Sequence, residues 1–309
     1  MTGSDRIGLV VMAYGTPRRP EDVEAYYTDI RRGRPPTPEQ LAELQGRYDA
    51  IGGISPLAER TEAQRAALAD ALEAAAPGRF EVVLGQKHAA PFIEDAVARL
   101  AADGIRRAVG LVLAPHYSRF SVGQYQERAA TAGGAHGIEL LAIDAWHLEP
   151  AYLDFLVGAL GDARATLPPA HKVLFTAHSL PERVLEGDPY PDQLRESASA
   201  VAERAGLLPW PDWAIAWQSA GRTPEPWRGP DILAVIRDLG ETGRTGGVAV
   251  CAQGFVSDHL EVLYDLDIEA LDRADALGVA FARTPSLNDD PAFLAMLAGV
   301  VRAAADGSA

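Results

Sequence analysis

Short apolar runs alternate with longer amphipathic stretches along the whole chain. The runs at 7–13 "IGLVVMA", 80–86 "FEVVLGQ", 107–114 "RAVGLVLA" and 139–144 "ELLAID" predict four strands. Four more are predicted at 172–177 "KVLFTA", 213–218 "WAIAWQ", 247–252 "GVAVCA" and 278–282 "GVAFA". Nearly every position in these runs is apolar, rather than every second one. That pattern belongs to strands buried on both faces, as in parallel sheets covered by helices. Helix-length segments fill the intervals, at 59–76, 91–103, 120–133, 150–165, 191–205, 230–239, 257–270 and 290–304. Only 17–58 departs from the rhythm. It is rich in Pro, Arg and Gly, with short helices expected at 20–32 and 38–50.

The strands divide four and four, with a break near His147–Pro150. The halves also resemble each other. The first strand of one runs into "MAYGTP" (12–17), the first of the other into "TAHSLP" (176–181). The third strands end in "APHYSRFSVGQY" (114–125) and "AQGFVSDHLEVLY" (252–264). The expected fold is therefore α/β: two similar Rossmann-like domains, each a four-stranded parallel sheet flanked by helices, with a cleft between them. The first is expected at 1–148 with an insert at 17–58, the second at 149–309. Ligands of such sheets gather beyond the C-terminal strand ends, where Tyr14 and His178 fall.

Composition narrows the function. A net charge of -15 over 309 residues argues against general binding to nucleic acid or anionic membranes. One cysteine, Cys251, cannot furnish an intramolecular disulfide, a cysteine-ligated zinc or an iron–sulfur cluster. No run approaches the roughly 20 apolar residues of a membrane helix, and the N-terminus lacks the pattern of a signal peptide. A soluble cytoplasmic protein is expected. No phosphate loop or GxGxxG follows a strand, so nucleotide binding has no motif behind it.

Candidate chemistry gathers at the strand ends. A lone histidine is more often structural than catalytic, but an imidazole at a strand end faces the ligand crevice and titrates near neutral pH. That favours a role for His178. In "SDHLEVLYDLDIEA", Asp258, Glu261, Asp265 and Glu269 recur at spacings of three and four, placing four carboxylates on one helical face. The bland reading is a solvated acidic face. The sharper one is a track for a hydrated divalent cation, with His178 and Glu261 forming an open nitrogen–oxygen set. The insert concentrates Arg18, Arg19, Arg31, Arg32, Arg34 and Arg47, whose forks suit carboxylates. "GGISPL" adds a turn with Ser55 as donor. Tyr14 either caps the core or approaches a flat ligand opposite His178. His88, just before a helix, suits a turn or capping role more than that of a ligand, Cys251 suits the core, and "WQSAGRTPEPWRGP" (217–230) either packing or the wall of an aromatic pocket.

"LVVMAYGTP", "YYTDIRRGRPP", "RYDAIGGISPLAERT", "PFIEDAV", "APHYSRFSV", "AHSLPERV", "GDPYPDQL", "WQSAGRTPEPW" and "GFVSDHLEVLYD" together resemble the ferrochelatases. They are most similar to the soluble bacterial branch that inserts iron into coproporphyrin III. The resemblance spans essentially the whole chain. It implies two Rossmann-like domains and a porphyrin between them. It makes His178 and Glu261 the pair that receives Fe(II) and helps remove pyrrole protons. Tyr14 becomes the axial ligand of product iron, and "AYG" replaces the asparagine–methionine–glycine context of the protoporphyrin IX branch. Arg31, Arg47, Tyr48, Ser55, Tyr125 and Ser219 match positions around the ring and its propionates. Asp265 and Glu269 match an outer cation site, for hydrated Mg2+ or for metal moving inward. Fe2+ is substrate, no cofactor is tightly held, and no iron–sulfur cluster is expected. The implied partners are coproporphyrin III, Fe2+ and, transiently, other haem-pathway enzymes. A monomer is expected, since the C-terminus stops without the extension of mitochondrial relatives. The alternatives are a protoporphyrin IX ferrochelatase, another tetrapyrrole chelatase, or a haem carrier without turnover.

Overall fold

A computed structural model describes residues 6–209, 211–221 and 223–307. Its contacts divide the chain into two compact units. The first comprises residues 1–114, 119–146 and 288–309; the second, residues 115–118 and 147–287. Two segments depart from a simple division at 148/149. Residues 115–118 pack with the second unit, and the C-terminal residues from 288 pack with the first.

The first unit holds strands β1 (Ile7–Ala13), β2 (Phe80–Gln86), β3 (Arg107–Val112) and β4 (Glu139–Ile143). All are parallel, in the order β2-β1-β3-β4. Every residue of β1 is buried, as its unbroken apolar run requires. The insert supplies α1 (Val23–Ile30) and α2 (Pro38–Ala50). Thr37 caps α2 reciprocally with Gln40, each side chain accepting the other's backbone N–H. Helices α3 (Leu57–Ala75), α4 (Ile93–Ala102) and α5 (Val122–His136) follow. Leu68, Leu72, Ile93 and Leu100 from these helices are fully buried.

The second unit opens with α6 (Pro150–Ala165) and repeats the topology. Strands β5 (His171–His178), β6 (Trp213–Gln218), β7 (Gly247–Cys251) and β8 (Ala280–Arg283) run parallel in the order β6-β5-β7-β8. Helices α7 (Tyr190–Arg204) and α8 (Ile232–Glu241) join them. After β7 come α9 (Leu260–Tyr264), a π-helical stretch (Asp265–Ala270) and α10 (Leu271–Ala276). Val262, Leu266, Ala270 and Ala274 are each fully buried, packed with Leu174, Val248 and Val250 of the sheet. In an α-helix each step of four residues overshoots a full turn by about 40°. The wider π turn, closed by i→i+5 bonds, holds such a row more nearly in line. Helix α11 (Pro291–Asp306), capped by the Asp290 carboxylate accepting from Phe293 N–H, belongs to the first unit.

In both sheets the first strand is central, with the second strand on one side and the third on the other. The crevice between first and third strands is the topological switch point at which ligands of such folds bind. Tyr14 directly follows β1, His178 ends β5, and the α9 segment follows β7. Gly254 makes this last placement possible. Its N–H donates to the Thr176 carbonyl at 3.0 Å, and a Cβ there would lie 2.7 Å from Ala177 Cα and 2.5 Å from Ala177 Cβ. Only glycine lets the loop cross the end of β5 so closely.

Candidate functional site

In the second unit, His178 Nε2 lies 3.5 Å from Glu261 Oε1. Their side chains are 34% and 37% exposed, sheltered yet within reach of a ligand. His178 Nδ1 donates to the Ser179 carbonyl oxygen, which directs Nε2 at the carboxylate. The Tyr190 hydroxyl donates to the His178 carbonyl oxygen at 3.2 Å, pinning the strand end. Glu261 is held from its backbone, whose carbonyl accepts from Gln218 Nε2 at 3.3 Å.

A second imidazole completes the group. His259 Nε2 lies 3.6 Å from Glu261 Oε2, and its Nδ1 is 2.9 Å from the Ser257 carbonyl oxygen. His259 is the extended residue that precedes α9, with φ -157° and ψ 178°. Burial alone would lower the His178 pKa. The Glu261 charge and hydrogen bond, the Ser179 carbonyl and the Asp265 charge outweigh it and raise the value to about 9. Burial likewise opposes ionisation of Glu261, but His178 and His259 together hold its carboxyl well below the usual range. At neutral pH the pair is therefore imidazolium and carboxylate. Deprotonated, it presents one nitrogen and two oxygens with open positions.

Of the predicted carboxylate row, Glu261, Asp265 and Glu269 lie on the helical segment, whereas Asp258 precedes it. Asp258 accepts from Ser286 Oγ at 3.0 Å and pairs with Arg283 at 3.5 Å. It belongs to the frame of the loop, so three carboxylates of the expected four lie on the helical segment. Asp265 is buried and accepts the Ser219 hydroxyl. Ser219 has φ 59°, a left-handed conformation uncommon outside glycine. Glu269 is half-buried and has no hydrogen bond or ion pair among the described residues. Nor, among those residues, is any set of three or more His, Cys, Asp and Glu arranged to hold a metal ion. Trp217 is buried against Tyr190, with ring centroids 5.8 Å apart, which settles that tryptophan as packing.

In the first unit, Tyr14 is 42% exposed and its ring rests on His88, with centroids 4.6 Å apart. His88 Nδ1 is 2.7 Å from Asp29 Oδ2, and its backbone N–H donates to the Tyr14 carbonyl oxygen at 2.9 Å. Lys87 Nζ donates to Gln124 Oε1 at 2.6 Å and sits over the Tyr125 ring at 5.1 Å. Burial, then the charges of Arg128 and Arg32, lower the Lys87 pKa to about 8. Arg31, half-buried at the end of α1, donates to the Arg34 carbonyl oxygen and stacks on Tyr27. Arg47 is half-buried in the last turn of α2, and Tyr48 beside it is buried. Ser55 is also buried, its Oγ accepting from Leu57 N–H at 3.3 Å at the start of α3.

The fold thus joins His178 to Glu261, Ser219 to Asp265, and Tyr14 and Tyr125 to the neighbouring pair His88 and Lys87. The sequence reading passed over His259, Tyr190 and Lys87. His259 had a signal: two residues before Glu261, in a stretch that enters a helix from extended backbone. Tyr190 had none, because its contact runs to a backbone atom twelve residues away.

Comparison with known proteins supplies the family. The ferrochelatase family profile matches residues 6–305. A coproporphyrin III ferrochelatase of Bacillus subtilis is 46% identical over 303 residues, covering 96% of this chain and 97% of that one. One of Halalkalibacterium halodurans is 46% identical over 302 residues, covering 96% of each chain. One of Geobacillus thermodenitrificans is 47% identical over 302 residues, covering 96% and 95%. Among solved structures, SirB from Bacillus subtilis with Fe3+ matches at a TM-score of 0.58 and 11% identity, covering 98% of this chain and 97% of that one. CbiX, the terminal enzyme for siroheme biosynthesis in denitrifying bacteria, matches at 0.53 and 16% identity, covering 96% and 99%. These two likenesses bear on the fold alone. The paired four-stranded sheets, the His178–Glu261 pair at a strand end and the match over nearly the whole sequence lead to one conclusion: this chain belongs to the ferrochelatase family.

Proposed function

We propose that this chain inserts ferrous iron into coproporphyrin III, giving iron coproporphyrin (coproheme) in haem biosynthesis. The observation that carries the reading is the imidazole–carboxylate pair, 3.5 Å apart at the C-terminal end of a central strand. Membership of the family and the activity named for its relatives support this reading. Fe2+ and the porphyrin are substrates. As iron enters, two pyrrole N–H protons leave, so the macrocycle takes up two positive charges and releases two.

His178 and Glu261 are the residues proposed to receive the iron and take part in that proton release. The arriving cation displaces the imidazolium proton, after which Nε2 and the carboxylate oxygens offer ligands to iron or accept pyrrole protons in turn. General base assistance contributes roughly 10²–10⁴-fold; positioning of metal and ring supplies more. His259 keeps Glu261 ionised. Tyr14 is the proposed axial ligand of product iron. Arg31, Arg47, Tyr48, Ser55, Tyr125 and Ser219 are the proposed ring and propionate contacts, to which Lys87 is added. Four propionates call for more cationic contacts than two, which favours coproporphyrin over protoporphyrin IX.

Asp265 and Glu269 as an outer site for Mg2+ or inbound metal, a monomeric state, a cytoplasmic location and transient contact with other haem-pathway enzymes complete the reading. Among the described residues no helix is long and apolar enough to cross a membrane. An anaerobic Fe(II) insertion assay comparing the two porphyrins tests the substrate. Faster turnover of coproporphyrin III is expected. A preference for protoporphyrin IX overturns the substrate, and binding of iron coproporphyrin without turnover of either porphyrin overturns the enzyme.

A further inference from the structure

Two histidines of the second unit lie outside the proposed chemistry. His116 and His147 are 2% and 8% exposed, with ring centroids 5.4 Å apart and planes tilted by 35°. They lie at the two places where the chain passes into this unit, residues 115–118 and 147–287.

Hydrogen bonding fixes both tautomers. Gln253 Nε2 donates to the Leu194 carbonyl oxygen at 2.9 Å, so its Oε1 faces Ser197 Oγ, 2.9 Å away, as an acceptor. Among the described residues Ser197 is the one donor that reaches this buried oxygen, so its hydroxyl hydrogen goes to Gln253 Oε1 rather than to His116. Ser197 Oγ in turn accepts from His116 Nε2–H at 2.8 Å. His147 Nε2 faces Glu196 Oε2 at 3.0 Å and carries a hydrogen for the same reason. Each Nδ1 is then left with a lone pair in the ring plane. Both Nδ1 atoms are buried and neither has a protein partner. Buried polar atoms of native proteins are almost always satisfied, by protein or by ordered water.

We propose that one buried water molecule lies between His116 and His147, donating one hydrogen to each Nδ1. A donor with two hydrogens can serve both acceptors of rings whose centroids lie only 5.4 Å apart, and buried waters hold such positions in folded proteins. Protonating a ring is the other way to make a donor. Burial, and then the adjacent His147, hold the His116 pKa well below its usual value, which disfavours it. The water staples the two incoming segments of the unit together. It also backs Tyr190, whose ring meets His116 edge-on at 6.3 Å and whose hydroxyl holds the His178 carbonyl. The inference stands whether or not the chain turns over a porphyrin.

A crystal structure of the full chain near neutral pH, at about 1.5 Å or better, tests it. One ordered water within about 2.7–3.2 Å of both Nδ1 atoms is expected. Absence of density there, direct Nδ1–Nδ1 contact, or anomalous scattering from a metal ion overturns the proposal. Nitrogen-15 spectra of the labelled protein decide the same point in solution. Both rings should be neutral Nε2–H tautomers whose Nδ1 shift marks an accepted hydrogen bond; an Nδ1–H on either ring, or the shift of an unbonded nitrogen, overturns it.

Discussion

At the scale of residues, Glu261 governs the charge of His178. Its carboxylate, against the opposing effect of burial, is the largest influence raising the imidazole pKa to about 9. In the proposed reaction a proton on Nε2 competes with iron, so metal uptake by the pair should strengthen as pH rises toward 9. Glu261→Gln removes both the charge and an oxygen ligand. Iron insertion should fall by roughly 10²–10⁴-fold, and the limb over which the remaining activity rises with pH should move to lower pH, because His178 then loses its proton more readily. Stopped assays across pH check this; an unmoved limb contradicts the coupling. The same pair links pH to stability. The raised His178 contributes fully below its ordinary 6.5 and is lost as pH rises through about 9. The lowered Glu261 contributes above its ordinary 4.5 and is lost as pH falls below that range. His178 and Glu261 were legible in the sequence because a strand end and a helical spacing expose them. Their charge states were not, since those depend on His259, the Ser179 carbonyl and burial.

At the scale of elements, placement depends on two departures from regularity. One is the crossing at Gly254; the other is the π stretch. Gly254→Ala would push a methyl group against Ala177, next to His178. Overpacking of this kind costs about 1–3 kcal/mol. It should lower the unfolding midpoint and reduce turnover more than porphyrin affinity; an unchanged midpoint and rate would contradict the close approach. The eight strands and most helices follow directly from apolar runs such as "IGLVVMA", because burial on both faces leaves a mark in every residue. The π stretch left no such mark. A row at 262, 266, 270 and 274 fits an ordinary amphipathic helix in sequence, and only packing against the sheet selects the wider turn. Asp258 illustrates the same limit: its spacing matched the helix, but the helix begins two residues later and Arg283 takes the carboxylate.

At the scale of the whole molecule, the chain is two repeats of one topology with the final helix returned to the first. Phe293, Leu294, Leu297 and Val301 of α11 are buried, and that helix packs on α3, β3 and β4. Its periodicity announces a helix but says nothing about which sheet it covers, so the sequence assigned it to the nearer domain. Deleting residues 288–309 should expose that face of the first unit, lowering expression as soluble protein and the cooperativity of unfolding. Soluble, cooperatively unfolding truncated protein would contradict the assignment. The central claim concerns the pair at the end of β5, and one measurement reaches it most directly: anaerobic iron insertion by His178→Ala, with porphyrin binding measured on the same preparation. Near-complete loss of insertion with porphyrin binding retained is the expected result; insertion at the native rate would show that His178 is not the residue on which the chemistry depends.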